Sequence, residues 1–139
     1  MKKINLFVYG SLREGFFNYD KYLAGKVVEK KDAILENMRL YHMPYKGYPA
    51  ITPGNDKVLG EIMVINEEEY DETVKDMDEM EGFISENNPE NEYHKIVLEV
   101  KNLQTNEKEK CFVYFYNKDK DKVFDSESVY IPNGDWKEY

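Results

Sequence analysis

The chain has 139 residues, a formal net charge of −9 and 41% hydrophobic residues, a composition that suits one domain with one real core. Residues 67–92 hold 12 of the 28 acidic residues and a single lysine, Lys75, so the acidity is local, and nothing forms the basic footprint of a nucleic-acid or polybasic membrane surface. The single cysteine, Cys111, excludes an internal disulfide, no segment approaches the roughly 20 apolar residues of a membrane span, and the apolar run after Met-Lys-Lys is too short for a signal peptide, so a soluble cytoplasmic protein is expected.

The first element lies in "INLFVYGSLREGFFN", residues 4–18. Leu6, Phe7, Val8 and Tyr9 follow one another as in a buried strand, expected over residues 3–9. The chain then turns small and polar at Gly10-Ser11, with Gly15 further on. Two readings stand: a tight turn, or backbone left bare so that a ligand can reach its N–H groups. No Gly-Lys-Ser/Thr follows, so this is not a phosphate loop. A short helix is expected over residues 18–24, with Asn18 as N-cap and Gly25 beyond its end.

A strand over 33–42 leads into "GYPAITPG", residues 47–54, where two prolines and two glycines predict a structured loop. The next strand, 57–65, places Val58, Gly60, Ile62 and Val64 on one face. A helix is expected over 67–81, with Asn66 and Glu69 spaced as a capping box and Gly82 after the last turn. Strands at 93–101 and 110–117 flank the polar "NLQTNEKE" and read as a hairpin. There is no repeat and no linker, so residues 1–139 read as a single domain. Short strands with two helices and no βα alternation predict an α+β fold around a curled or closed, mostly antiparallel sheet.

Within the acidic helix Tyr70, Val74, Met77 and Glu81 follow i, i+4, i+7, i+11 and form one core-facing stripe. Glu72, Lys75, Asp76 and Glu79 lie opposite, and Glu67 and Asp78 sit at the stripe's edge. A carboxylate buried without a cation has a raised pKa, which suits a general base near neutral pH. The other reading ends the helix at Met80 and turns Glu81 outward as one more solvated acid. His42 and His94 lack ligand-like spacing, so no metal site is expected. Cys111 lies in "CFVYFY" and reads as a small core residue. Ser11 lacks the Gly-x-Ser-x-Gly setting of a hydrolytic nucleophile. Tyr116 reads either as a pocket residue or as a packed core tyrosine. Tyr is abundant, 12 residues, which suits a half-polar interior.

Taken in order, "VYGSLREG", "GYPAITPG" with "VLGEIMVI", "MDEMEGF", "EYHKIVLEV", "CFVYFY" and "IPNGDW" resemble the γ-glutamylcyclotransferase-like family, in the branch of γ-glutamylamine cyclotransferase and the plant avirulence-induced proteins. The resemblance spans residue 4 to about 136. It implies a small, mostly antiparallel mixed β-barrel with a few helices. It also implies a cofactor-independent enzyme that cyclises the γ-glutamyl group of a small γ-glutamyl amine or amino acid to 5-oxoproline. By the same resemblance Tyr9, Gly10, Ser11 and Leu12 bind substrate through backbone N–H groups. Glu81, in register with Asp78 and Gly82, is by that resemblance the catalytic acid/base, and Tyr116 joins the substrate-binding candidates on its own reading as a pocket residue. The chain departs from the family at Lys95, where an arginine is common, and a point charge there replaces a fork.

Overall fold

The computed structural model describes residues 4–136. Strand β1, Leu6–Val8, is buried at every position. Its side chains alternate between two cores. Leu6 and Val8 join one cluster, and Phe7 joins the other with Tyr9 just beyond the strand. Apolar contact on both faces explains the unbroken apolar run.

The scaffold is a long antiparallel hairpin of β2, Val27–Met43, and β3, Tyr48–Ile65. The segment 48–54, expected as a loop, is therefore strand. Leu40 faces Ile51 across the ladder and both are fully buried, so core contact holds this stretch in register between its two prolines. A register shift between Glu36 and Met38 accommodates Asn37, which takes a positive φ of 62°.

β3 pairs antiparallel with β1, and β1 runs parallel to β5, Lys108–Tyr116. β5 forms the expected hairpin with β4, Tyr93–Asn102, and β4 meets β2 at Ala33–Asn102 and Ile34–Lys101. Because β2 also pairs with β3, the five strands close into a barrel. One parallel pair among antiparallel ones makes it mixed, as expected. A sixth strand, β6 (Val129–Ile131), extends β2 beside Leu40–His42 and was not predicted. Nor were the 3₁₀ turn Lys118–Lys120 or the short helix α2, Phe124–Glu127, which supplies buried Phe124; α1 is Tyr70–Met80.

α1 starts three residues later than expected. Asn66 Oδ1 accepts the Glu68 N–H at 2.9 Å and so closes a local turn instead of capping the helix. Its buried face is Tyr70, Thr73, Val74 and Met77. The predicted helix at 18–24 is a π-helical turn, Tyr19–Leu23, and Asn18 does not cap it with its side chain. Among the described residues no helix is long and apolar enough to cross a membrane.

One core cluster draws on all five barrel strands, with Phe7, Leu35, Ile51, Val100 and Val113 among them. The other lies between strands and helical segments and includes Leu23, Met77 and Phe124. Cys111 sits in the first, fully buried, and burial pushes its thiol up to about 12. The chain's last described turn closes over this barrel. Gly134 accepts the Leu59 N–H at 2.7 Å and has φ +70°, and a Cβ there would lie 1.9 Å from the Lys57 carbonyl oxygen. Gly134→Ala is expected to destabilise the fold by at least about 2 kcal/mol, read by urea denaturation, since both a left-handed dihedral and a backbone overlap oppose it.

Candidate active site

The chain leaves β1 at Val8 and delivers Tyr9 inward. Its hydroxyl donates to the Tyr114 carbonyl at 2.6 Å, which pins the start of the loop to β5. Gly10 follows against the Pro49 ring. A Cβ at this position would lie 2.5 Å from Pro49 Cγ, so a side chain is excluded by close approach. The turn uses its carbonyls inside the fold: Arg13 N–H donates to the Gly10 oxygen and Tyr19 N–H to the Ser11 oxygen. Asn18, the predicted cap, instead donates its amide to Ser11 Oγ at 2.6 Å.

The loop is anchored by charge. Arg13 is buried and its Nη1 donates to Asp135 at 2.9 Å, while its Nε lies 3.5 Å from Glu61. Glu61 is only 2% exposed, and its other oxygen accepts the Glu14 N–H at 2.9 Å. Removing one member of such a set would strand a buried charge. Trp136 packs at a tilt on Phe16, 5.2 Å between centroids, and donates its Nε1 hydrogen to His42 Nδ1, which closes the C-terminal segment over the loop.

Below the loop lies a cavity of about 260 Å³, lined by Tyr9, Gly10, Ser11, Leu12 and Glu81 among others. The turn and the acid, distant in sequence, thus meet. Glu81 is the C-cap of α1, with helical dihedrals of φ −81° and ψ −4°. The helical stripe carries through to it, and Gly82 then breaks the helix at φ +70°. Glu81 keeps contact with the cavity while protein surrounds its carboxyl. Burial, followed by the negative charges of Glu92 and Asp78, pushes its pKa up to about 8.

Each flanking acid has its own cation. Lys95 pairs with Asp78 at 2.9 Å, and Lys46 pairs with Glu92 at 3.2 Å. The remaining oxygens accept Tyr114 OH (2.7 Å, on Asp78) and Tyr48 OH (3.0 Å, on Glu92). Among the described residues no cation lies within ion-pair distance of Glu81. The arrangement can therefore hold a carboxyl that is readily protonated and deprotonated near neutral pH.

Tyr116 is placed elsewhere. Its ring packs on Tyr93 (5.1 Å between centroids) and Phe124, and its hydroxyl donates to Asp121. It lines an adjoining surface depression with Lys46 and Glu92, outside the cavity that holds Glu81. Tyr114 and Tyr116 share one face of β5, and it is Tyr114, two residues earlier, that reaches the cavity, while Tyr116 lies further along the strand beside Asp121. Tyr48, Glu92 and Tyr93 also line the cavity and were missed. The surplus of tyrosine was their one sequence signal, since four of the lining residues are tyrosines. Among the described residues no group of His, Cys, Asp and Glu is arranged to hold a metal, and His94 is engaged by the Asn91 amide.

A closed mixed barrel whose first strand opens into a glycine turn above a half-buried helix-end carboxylate defines a recognisable class. Residues 6–138 match the family "gamma-glutamyl cyclotransferase, AIG2-like", and the chain belongs to that family. A relative from Niallia circulans, gamma-L-glutamyl-butirosin B gamma-glutamyl cyclotransferase, is 28% identical over 97% of this chain and 76% of its own length. Among solved structures, an AIG2-like protein from Mus musculus superimposes with a TM-score of 0.60 at 22% identity, over 81% of this chain and 76% of that one. A protein from Arabidopsis thaliana gives a TM-score of 0.67 at 25% identity, over 88% and 67%.

The raised carboxyl has a thermodynamic signature. An unfolded glutamate loses its proton near 4.5, whereas folded Glu81 keeps it to about 8, so between these values the native state binds the extra proton. Stability from this group is complete below pH 4.5 and is lost as pH rises to 8. Glu81→Gln keeps the shape without the ionisation. Its stability relative to wild type should therefore grow steadily across that window, as measured by denaturation at a series of pH values.

Proposed function

We propose that this protein is a γ-glutamyl cyclotransferase, releasing 5-oxoproline and a free amine from a small γ-glutamyl amine or amino acid. The observation that carries the reading is Glu81, a carboxyl with its pKa raised to about 8 at the floor of a cavity roofed by the Gly10 turn. Family membership and the Niallia circulans relative support the same class of reaction.

In the proposed reaction, the α-ammonium of the γ-glutamyl group loses a proton to the Glu81 carboxylate. The neutral amine then attacks its own γ-carbonyl. A new C–N bond closes the five-membered ring, the tetrahedral intermediate collapses, and the bond to the leaving nitrogen breaks. Glu81 gives its proton to that nitrogen as the bond breaks, takes the second proton from the ring nitrogen and passes it to the departing amine, which leaves as an ammonium, so the enzyme is unchanged. The nucleophile is tethered to its electrophile, so the chain's main task is to fold the substrate into the reactive conformer. The N–H groups of Ser11 and Leu12 would hold the α-carboxylate or the developing oxyanion. The aromatic walls, Tyr9, Tyr93 and Tyr114, would exclude water from the closing ring.

The panel that tests this contains γ-glutamyl amines, γ-glutamyl amino acids and glutathione. It also contains larger γ-glutamylated amines, since the Niallia circulans relative is named for γ-L-glutamyl-butirosin B. Wild type should release 5-oxoproline from at least one member, with a rate that rises with pH as Glu81 ionises. Glu81→Gln should lose about 100-fold or more. Full activity in the folded variant would remove Glu81 from the role.

A further inference from the structure

Lys95 lies outside the cavity that holds Glu81, yet it is tied to it through one residue. Its ammonium pairs with Asp78 Oδ2 at 2.9 Å, and its side chain is 14% exposed against 20% for Asp78, so water screens the pair weakly. The ammonium also sits between two rings, 5.0 Å from the Phe83 centroid and 4.9 Å from that of Phe112. Asp78 gives its second oxygen, Oδ1, to the Tyr114 hydroxyl at 2.7 Å. The Tyr114 carbonyl in turn accepts Tyr9 OH, the residue that begins the substrate turn. A chain of contacts therefore runs from Lys95 through Asp78 and β5 to the roof of the cavity. Asp78 also lies three residues before Glu81 on the same helix, close enough for its charge to act on that carboxyl.

We propose that Lys95 and Asp78 form a positioning pair behind Glu81, in which the ammonium offsets a carboxylate that otherwise confronts the base and holds it against Tyr114. A point charge suits this place. Lysine occupies one carboxylate oxygen and leaves the other to tyrosine, whereas a guanidinium fork would compete for both. Lys95 thus recognises the protein's own carboxylate, and its influence on catalysis is electrostatic and indirect. The assignment rests on Glu81 as the base, but its test does not depend on turnover.

The other groups facing Glu81 are Glu92 from the segment before β4, Tyr9 after β1, Tyr48 on β3, Tyr93 on β4 and Tyr114 on β5, with Lys46 beside Glu92. Of these, Tyr114 touches the pair, donating to Asp78, and Asp78→Asn keeps an acceptor oxygen for it. The experiment is a carbon-detected NMR titration of the Glu81 side-chain carboxyl in the whole protein. Lys95→Met should raise its midpoint by about 0.5–1 in pH, because Asp78 then stands uncompensated. Asp78→Asn should lower it, and Lys95→Arg should bring it back toward wild type. A folded Lys95→Met with an unmoved midpoint, or the two neutralising variants moving together, would overturn the proposal. If Lys95→Met does not fold, Asp78→Asn decides alone: a lower midpoint supports the pair and an unchanged one refutes it. The pH profile of 5-oxoproline release, run beside the titration, keeps the two readings apart. A displaced midpoint with an undisplaced profile would strike Glu81 as the base and leave the pair's action on it standing.

Discussion

Three carboxylates gather at one end of the barrel, and the way two of them are neutralised governs the third. Asp78 and Glu92 lie close enough for their charges to act on Glu81. Like charges in a desolvated place cannot all remain ionised without compensation. The fold supplies two cations, Lys95 and Lys46, and each goes to a flanking acid. Tyrosine hydroxyls take the remaining oxygens of both. Glu81, desolvated by the protein around it and then faced by the charges of Glu92 and Asp78, keeps its proton to about pH 8. The chemical character of the cavity follows from the desolvation of Glu81 first and from this unequal distribution of cations second.

That distribution requires a rigid frame, because a charge pair displaced by an ångström or two would redistribute the field. The barrel provides it through two kinds of tie. Tyr9 and Tyr93 donate their hydroxyls to backbone carbonyls of Tyr114 and Pro49, so cavity walls are bonded to strands. The glycine turn is held from behind by Arg13, Glu61 and Asp135, which join the first loop, the third strand and the C-terminal segment. Buried charges of this kind contribute little net stability, but they discriminate strongly against a misplaced loop. The cost of an altered register here is a stranded charge.

Much of the barrel was legible because its strands obey simple patterns. β1 is apolar at successive positions and is buried on both faces, and the β4–β5 hairpin brackets a polar turn. The helical stripe from Tyr70 to Glu81 was legible for the same reason, since packing one face of a helix imposes its period on the sequence. The errors also have local causes. Prolines at 49 and 53 suggested a loop, but the pairing of Leu40 with Ile51 in the core outweighed them. Asn66 spent its side chain on a turn and so could not cap the helix. Alternation along β5 left Tyr114 and Tyr116 equivalent to a reader of the sequence, and only the curvature of the closed sheet sends one to the cavity and the other to Asp121.

The sequence by itself determined the apolar strand that ends in a glycine turn, the acidic helix with one carboxylate on its packed face, and the order of motifs that marks the family. These are properties of short windows, where side-chain period and backbone freedom act over a few residues. Tertiary structure alone decided that the turn and Glu81 share a cavity, that Glu92 and Tyr48 border it, and that Lys95 serves Asp78. Those relations join residues 17 to more than 70 positions apart. They depend on barrel closure, which brings distant strands together by hydrogen-bond register and leaves no trace in local composition.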